Sequence, residues 1–242
     1  LKSKKDSTFT YSADTLDKNI TSAYIGHSST LDIYSKKYTD EINSSNPEAA
    51  QFYSNAFYLN PTSSADSLRT LRLDNKVFMR LQPWASDAAL SKIDVGIGDK
   101  LASYYSFNPD VYISGKLKNT YLNSAYVYAG ANGKIKRYVE WDATGRYTFA
   151  GYEVNDFRVD ANMKFSFYPF RRDKYSPIDL KIHFETGLKE PDFYQQNLLT
   201  NHFRWNNDFS KTSTTKILGE LDIPKWELAA SFGYALLANN LY

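Results

Sequence analysis

The chain has 242 residues, with 29 Lys+Arg against 27 Asp+Glu and no cysteine. The near-zero balance argues against a nucleic-acid footprint, and the missing cysteines exclude disulfides and cysteine-ligated metals. The mean hydropathy of −0.53 and the absence of any apolar run near the ~18 residues of a membrane helix exclude helical spans. They do not exclude a membrane barrel, whose strands are only half apolar. Aromatic residues reach 16%, with 20 Tyr and 15 Phe, and Tyr suits boundaries between apolar and wet surroundings.

Residues 1–66 are polar, rich in Ser, Asn and Thr, and punctuated by proline. They read as a loop-rich segment, with candidate first strands near 7–12 and 21–34. The remainder, 67–242, reads as a meander of about nine strands, the whole forming a single domain. The strands fall at 71–81, 92–101, 122–131, 139–149, 157–167, 178–188, 199–209, 216–223 and 226–236. In each, apolar and polar residues alternate with the period of two that gives a strand two different faces.

The segment 157–167, FRVDANMKFSF, has the cleanest alternation. Phe157, Val159, Ala161, Met163, Phe165 and Phe167 share one face; Arg158, Asp160, Asn162, Lys164 and Ser166 share the other. Pro169 then ends the ladder. Alternation alone fits both a soluble sandwich, with its apolar face on a core, and a membrane barrel, with its apolar face on lipid. Three features favour the barrel. Several strands keep strict alternation for ten or more residues, whereas soluble strands usually run ~5–6. Eleven residues at ~3.3 Å each give ~36 Å, enough to cross a tilted bilayer core. The apolar faces carry essentially no charge; the exception is Asp99, placed near the end of its strand. Aromatics near the strand ends (Tyr147, Phe149, Phe165, Phe167, Trp226) resemble an interfacial girdle. The expected fold is therefore an all-β transmembrane antiparallel up-and-down β-barrel, complete or a portion of a larger one.

Short turns imply antiparallel neighbours. The long connections 36–66, 108–121 and 189–197 are expected on the outer side. The turns near 84–90, 132–137 and 209–213 fall on the other, where the gap at 169–177 is long for a turn. Pore-lining candidates are Arg146, Arg158, Asp160, Lys164, Lys181, His183, Glu185, His202 and Arg204. Lipid-facing candidates are Phe157, Val159, Met163, Phe165, Trp205 and Trp226. Inward basic and acidic positions balance, so strong ion selectivity is not expected, and the charges either line a pore or pair across strands. The small inward residues Ala229, Ser231, Gly233 and Ala235 leave room for a channel or pack against larger neighbours.

His183 and His202 are expected on adjacent strands, but more as members of a polar ladder than as a catalytic pair. No nucleophile-elbow, zincin, nucleotide or calcium-loop motif is present. No catalytic residue, metal or cofactor is expected. With no initiator Met or signal peptide at Leu1, the chain reads as processed or as a piece of something longer.

The stretches KFSFYPF (164–170), EPDFYQQNLLTNHFRWNNDF (190–209) and IPKWELAASFGYALLANN (223–240) resemble the C-terminal half of the putative porin family of Bacteroidetes outer membranes. The likeness runs back more loosely to Phe52. It implies an outer-membrane β-barrel; the expected partners are outer-membrane lipid and a homo-oligomer or other outer-membrane proteins, with no nucleic acid. It carries over no catalytic residues. Family chains are longer, which adds to the expectation of a fragment. The expected function is passive diffusion of small hydrophilic solutes. The alternative is a barrel with a blocked lumen that binds a partner at the surface or serves as an assembly subunit.

Overall fold

The structure is a computed structural model that describes residues 22–42, 45–57, 62–82, 87–106, 119–169 and 177–240. Nine strands form one sheet: β1 Ser22–Glu41, β2 Ser63–Gln82, β3 Lys92–Ser106, β4 Thr120–Ile135, β5 Val139–Gly151, β6 Phe157–Phe167, β7 Ile178–Lys189, β10 Thr212–Ile223 and β11 Leu228–Ala238. Their spatial order is β1-β2-β3-β4-β5-β6-β7-β10-β11. Each neighbouring pair is antiparallel. Two short strands, β8 Asn197–Leu199 and β9 Arg204–Asn206, form a separate ribbon between β7 and β10. Two single-turn helices, α1 Pro47–Ala50 and α2 Phe193–Gln196, and a 3-10 turn at Pro224–Trp226 complete the description. The sheet does not close on itself among the described residues: β1 and β11 are its edges.

β6 matches the alternating segment 157–167, and its hydrogen-bonded ladder stops before Pro169. Elsewhere the sequence reading needs correction. The candidate strand near 21–34 is β1, which runs on to Glu41 through residues read as loop, and the boundary drawn at 66/67 falls inside β2. The candidate strand near 7–12 lies outside the described residues. Conversely, 199–209 is not a barrel strand: β7 pairs directly with β10. With the 21–34 candidate joining the sheet as β1 and 199–209 dropping out of it, the total is nine. Without that strand, 209–213 lies at the same end of the sheet as 189–197, and Pro224–Trp226 lies at the opposite end.

The register assigns the two faces. Arg72, Asp74, Lys100, Tyr104, Tyr126, Arg146, Arg158, Lys164, Lys181 and Lys216 fall on one of them. The opposite face carries Val77, Ile97, Val127, Tyr147, Phe157, Val159, Met163, Ile217 and Phe232, all exposed. Among the described residues, only Tyr104, Tyr126 and Ile223 are buried apolar side chains. A soluble sandwich would bury its apolar rows against a second layer. Here those rows have no protein cover, which fits lipid contact along the strands.

Local packing shapes the inner face. The Tyr126 ring lies over Gly98, directly across the ladder. A Cβ at Gly98 would stand 2.2 Å from the Tyr126 ring. That position lets the Tyr126 hydroxyl donate to Asp74 at 2.6 Å. At the β5–β6 turn, Gly151 has φ +95 and lies so close to Asn123 that a Cβ would meet its carbonyl oxygen at 2.1 Å. Gly98→Val should displace Tyr126 and cost about 1–3 kcal/mol, as overpacking does. Gly145→Ala, where a Cβ meets nothing within 4 Å, should be near neutral. Thermal unfolding of the two variants in detergent checks the contrast.

Candidate functional site: the charged inner face and its mouth loop

The inner face is a ladder of opposite charges. Arg80 pairs with Asp94 at 2.7 Å, Lys134 with Glu140 at 3.0 Å, and Lys164 with Asp179 at 3.0 Å. Arg158 holds Asp160 at 2.8 Å and approaches Glu185 at 3.6 Å; Lys181 approaches Glu220 at 3.7 Å. The Arg146 guanidinium stacks 3.5 Å from the Tyr126 ring centroid and lies 3.6 Å from Asp74. Strand alternation puts these groups on one face, and antiparallel register sets each cation beside an anion. Such partly exposed pairs are worth little individually, ~0–1 kcal/mol. Their larger effect is to cancel local field, so the face is polar without being strongly of one sign.

Seven of the predicted pore-lining residues sit on this face: Arg146, Arg158, Asp160, Lys164, Lys181, His183 and Glu185. Phe157, Val159, Met163 and Phe165 sit on the opposite one. The other four predicted site residues lie off the strands of the large sheet. His202, Arg204 and Trp205 belong to the connection between β7 and β10, not to a barrel strand. Trp226 lies in the tight 3-10 turn between β10 and β11, where it is exposed.

His183 and His202 are not neighbours on adjacent strands. The His183 Nδ1 lies 2.7 Å from Asn162 Oδ1, and Asn162 Nδ2 donates to Asp142. His202 instead stacks on Tyr53, with centroids 3.7 Å apart, and its Nδ1–H donates to the Asn55 carbonyl. Asp160, His183 and Glu185 bring ligand-type atoms within 4.8 Å of one another. The Arg158 guanidinium already sits between the two carboxylates, so the chain supplies its own cation there.

The connection 190–211 crosses the inner face to reach β3, β2 and the β1–β2 hairpin. Asp192 caps α2 by accepting from Tyr194 N–H, while Gln195 accepts from Asp192 N–H. This Asp-x-x-Gln capping box was a legible signal that the sequence reading passed over. α2 places Asp192 2.5 Å from Arg72 of β2. Phe193 stacks on Tyr104 of β3 at 4.6 Å. The Tyr194 hydroxyl lies 2.7 Å from the carbonyls of both Arg69 and Tyr105. Farther on, the β8–β9 turn reaches the β1–β2 hairpin: Asn201 is fully buried, its N–H donates to Asp66 and its side-chain amide to the Ser63 carbonyl. A cavity of about 250 Å³ lies beneath α2, lined by Asp32, Arg72, Lys100, Tyr152, Glu153 and Asp192 among others.

The near end of the loop is fastened by Lys211. Its ammonium bonds Asp156 of the β5–β6 turn and lies 3.0 Å from Glu190. The Asp156 carboxylate also accepts from Glu190 N–H. Burial pulls the Lys211 ammonium down, but its bonds to Asp156 and Glu190 outweigh that and raise its pKa overall. Beside it, Tyr152 is pushed up to about 12 by burial, with the Glu190 charge adding to the effect. A raised lysine pKa contributes stability that is complete below its unfolded value of ~10.4 and lost as pH climbs through the folded one. Proteolytic nicking within 190–211 should therefore be steady through neutral pH and quicken only in that alkaline window. Lys211→Gln should quicken it at neutral pH.

No curated protein and no solved structure matches the chain. A family model described as putative porin matches residues 6–242, nearly the whole length, and its expected architecture agrees with the two-faced antiparallel sheet. The chain belongs to the putative porin family.

Proposed function

We propose that this chain forms a channel wall in a bacterial outer membrane and that small hydrophilic solutes diffuse passively along its charged inner face. The observation that carries this reading is the separation of the two faces. One is a paired ladder of Arg, Lys, Asp and Glu; the other is exposed Val, Ile, Phe and Met without protein cover. Only a setting with lipid on one side and water on the other rewards both faces of one sheet. Family membership supports a porin-like outer-membrane channel at the same coarse level. The balanced charges favour solutes selected by size over solutes selected by sign. No chemistry on the solute is needed in this reading.

A second reading has its own support. The loop 190–211 reaches from β7 across to β2 and the β1–β2 hairpin, and the inner charges neutralise one another. Both suit a blocked barrel whose outer loops bind a partner.

Conductance separates the two. Protein reconstituted in a planar bilayer should give stepwise currents with weak cation–anion discrimination. Asn201→Ala combined with Tyr194→Phe removes far anchors of the loop and should raise the step size. A folded, silent barrel would sink the diffusion reading and leave the blocked one; silence relieved only in the double variant would identify the loop as the block.

A further inference from the structure

The charged residues of the outer face lie on β1–β3: Lys37, Glu41 and Arg69 towards the β1–β2 hairpin, and Asp99 at mid-strand. One ladder row there reads Ser29–Asn75–Asp99. Asp99 stands at the midpoint of β3, not near its end as the sequence reading placed it. Ile97 and Leu101 flank it along the strand. Ser29 Oγ donates to Asn75 Oδ1 at 2.8 Å. His27 is exposed in the next row, beside Val77. Neither His27 nor Asp99 has a hydrogen bond or ion pair among the described residues. From β4 to β11 the outer face carries no charged side chain in any described strand. An ionisable group at mid-strand against lipid is costly and calls for a partner. His27 and Asp99 cannot serve one another within the chain, because β1 and β3 are two strand spacings, ~10 Å, apart.

We propose that the outer face of β1–β3 docks against the same face of a second copy of this chain, His27 of each protomer meeting the partner's Asp99. The inference rests on the outer-membrane barrel reading. The patch is self-complementary: it holds an imidazole and a carboxylate on either side of an amide, with β2 midway between β1 and β3. A two-fold axis beside Asn75 brings the β1 of one copy opposite the β3 of the other. The His27–Asp99 contact then forms twice, as an isologous interface requires. Asn75 meets its own counterpart near the axis, where an amide can both donate and accept. A different partner protein would have to supply an acid and a base at matching positions; a second copy supplies both by symmetry.

The absence of cysteine makes the test direct. Two differently tagged populations, one His27→Cys and one Asp99→Cys, are co-expressed and oxidised in intact outer membranes. The mixed pair should give a disulfide-linked dimer carrying both tags, while the reciprocal His27–Asp99 contact stays intact. His27→Cys paired with Val159→Cys, on the lipid face of β6, should give several-fold less. Asp99→Leu, tested without cysteines, should shift the detergent-extracted protein from dimer to monomer mass. A mixed pair that links no better than the β6 control overturns the proposal, as does a product linked to a protein of another mass. Heat-modifiable migration of each variant reports barrel folding separately. Folded barrels that fail to link sink the dimer alone; failure to fold in the membrane sinks the barrel reading as well.

Discussion

Everything in this molecule follows from the need to hydrogen-bond a peptide backbone where water is scarce. Inside a bilayer an unpaired N–H or C=O costs several kcal/mol, and an extended chain escapes that cost only through neighbours on both sides. The antiparallel ladder from β1 to β11 supplies them strand after strand. Once the ladder is fixed, side chains have no further freedom of side. Odd and even positions go to opposite faces, so the sequence must write two surfaces at once. The exposed Val, Ile and Phe on one face and the paired charges on the other are those two surfaces.

The constraint also explains why the mouth loop is built as it is. A chain leaving the ladder at Glu190 loses its strand partners and must find others. It closes a capping box at Asp192, turns through a short ribbon, and spends the Asn201 N–H and side-chain amide on Asp66 and Ser63. The fastenings are of different kinds at the two ends. Near β10 they are ionic, through Lys211 with Asp156 and Glu190. At the far end they are mainly hydrogen bonds to backbone and ring stacking, through Asn201, His202 and Tyr194. Salt screens the first kind far more than the second.

This division sets what could be read from the sequence. β5, β6 and β7 were legible because their outer rows are apolar, broken only at Thr186 of β7, and a period of two is a strong signal when the rows are hardly mixed. β1 was legible only in part, as the candidate at 21–34, because its outer row runs Ala23, Ile25, His27, Ser29, Leu31, Ile33, Ser35, Lys37. Its strand form comes from the ladder with β2 rather than from an alternation of its own. The opposite error at 199–209 had a visible warning. Leu199, Phe203, Trp205 and Phe209 share a parity with Asn201 and Asn207, and two amides in an intended lipid row argue for a turn. The seven inner-face residues on β5 to β7 came with their strands. His202 and Arg204 were misplaced with theirs. Asp192, Tyr194, Asn201 and Lys211 were missed, because long-range loop contacts leave no periodic trace.

The unequal strand lengths have an architectural consequence. β1 and β2 run 20 residues each while β6 runs 11. With the short-turn ends held at one level and strands tilted ~40°, the extra length lifts the β1–β2 hairpin ~20 Å above the β5–β6 turn. The rim is therefore stepped, with a high wall on one flank and a low sill on the other. The loop slopes from sill to wall like an awning. In the channel proposed above, approach from solution would be oblique, and a bulky molecule descending along the barrel axis would meet the slope before the charged face.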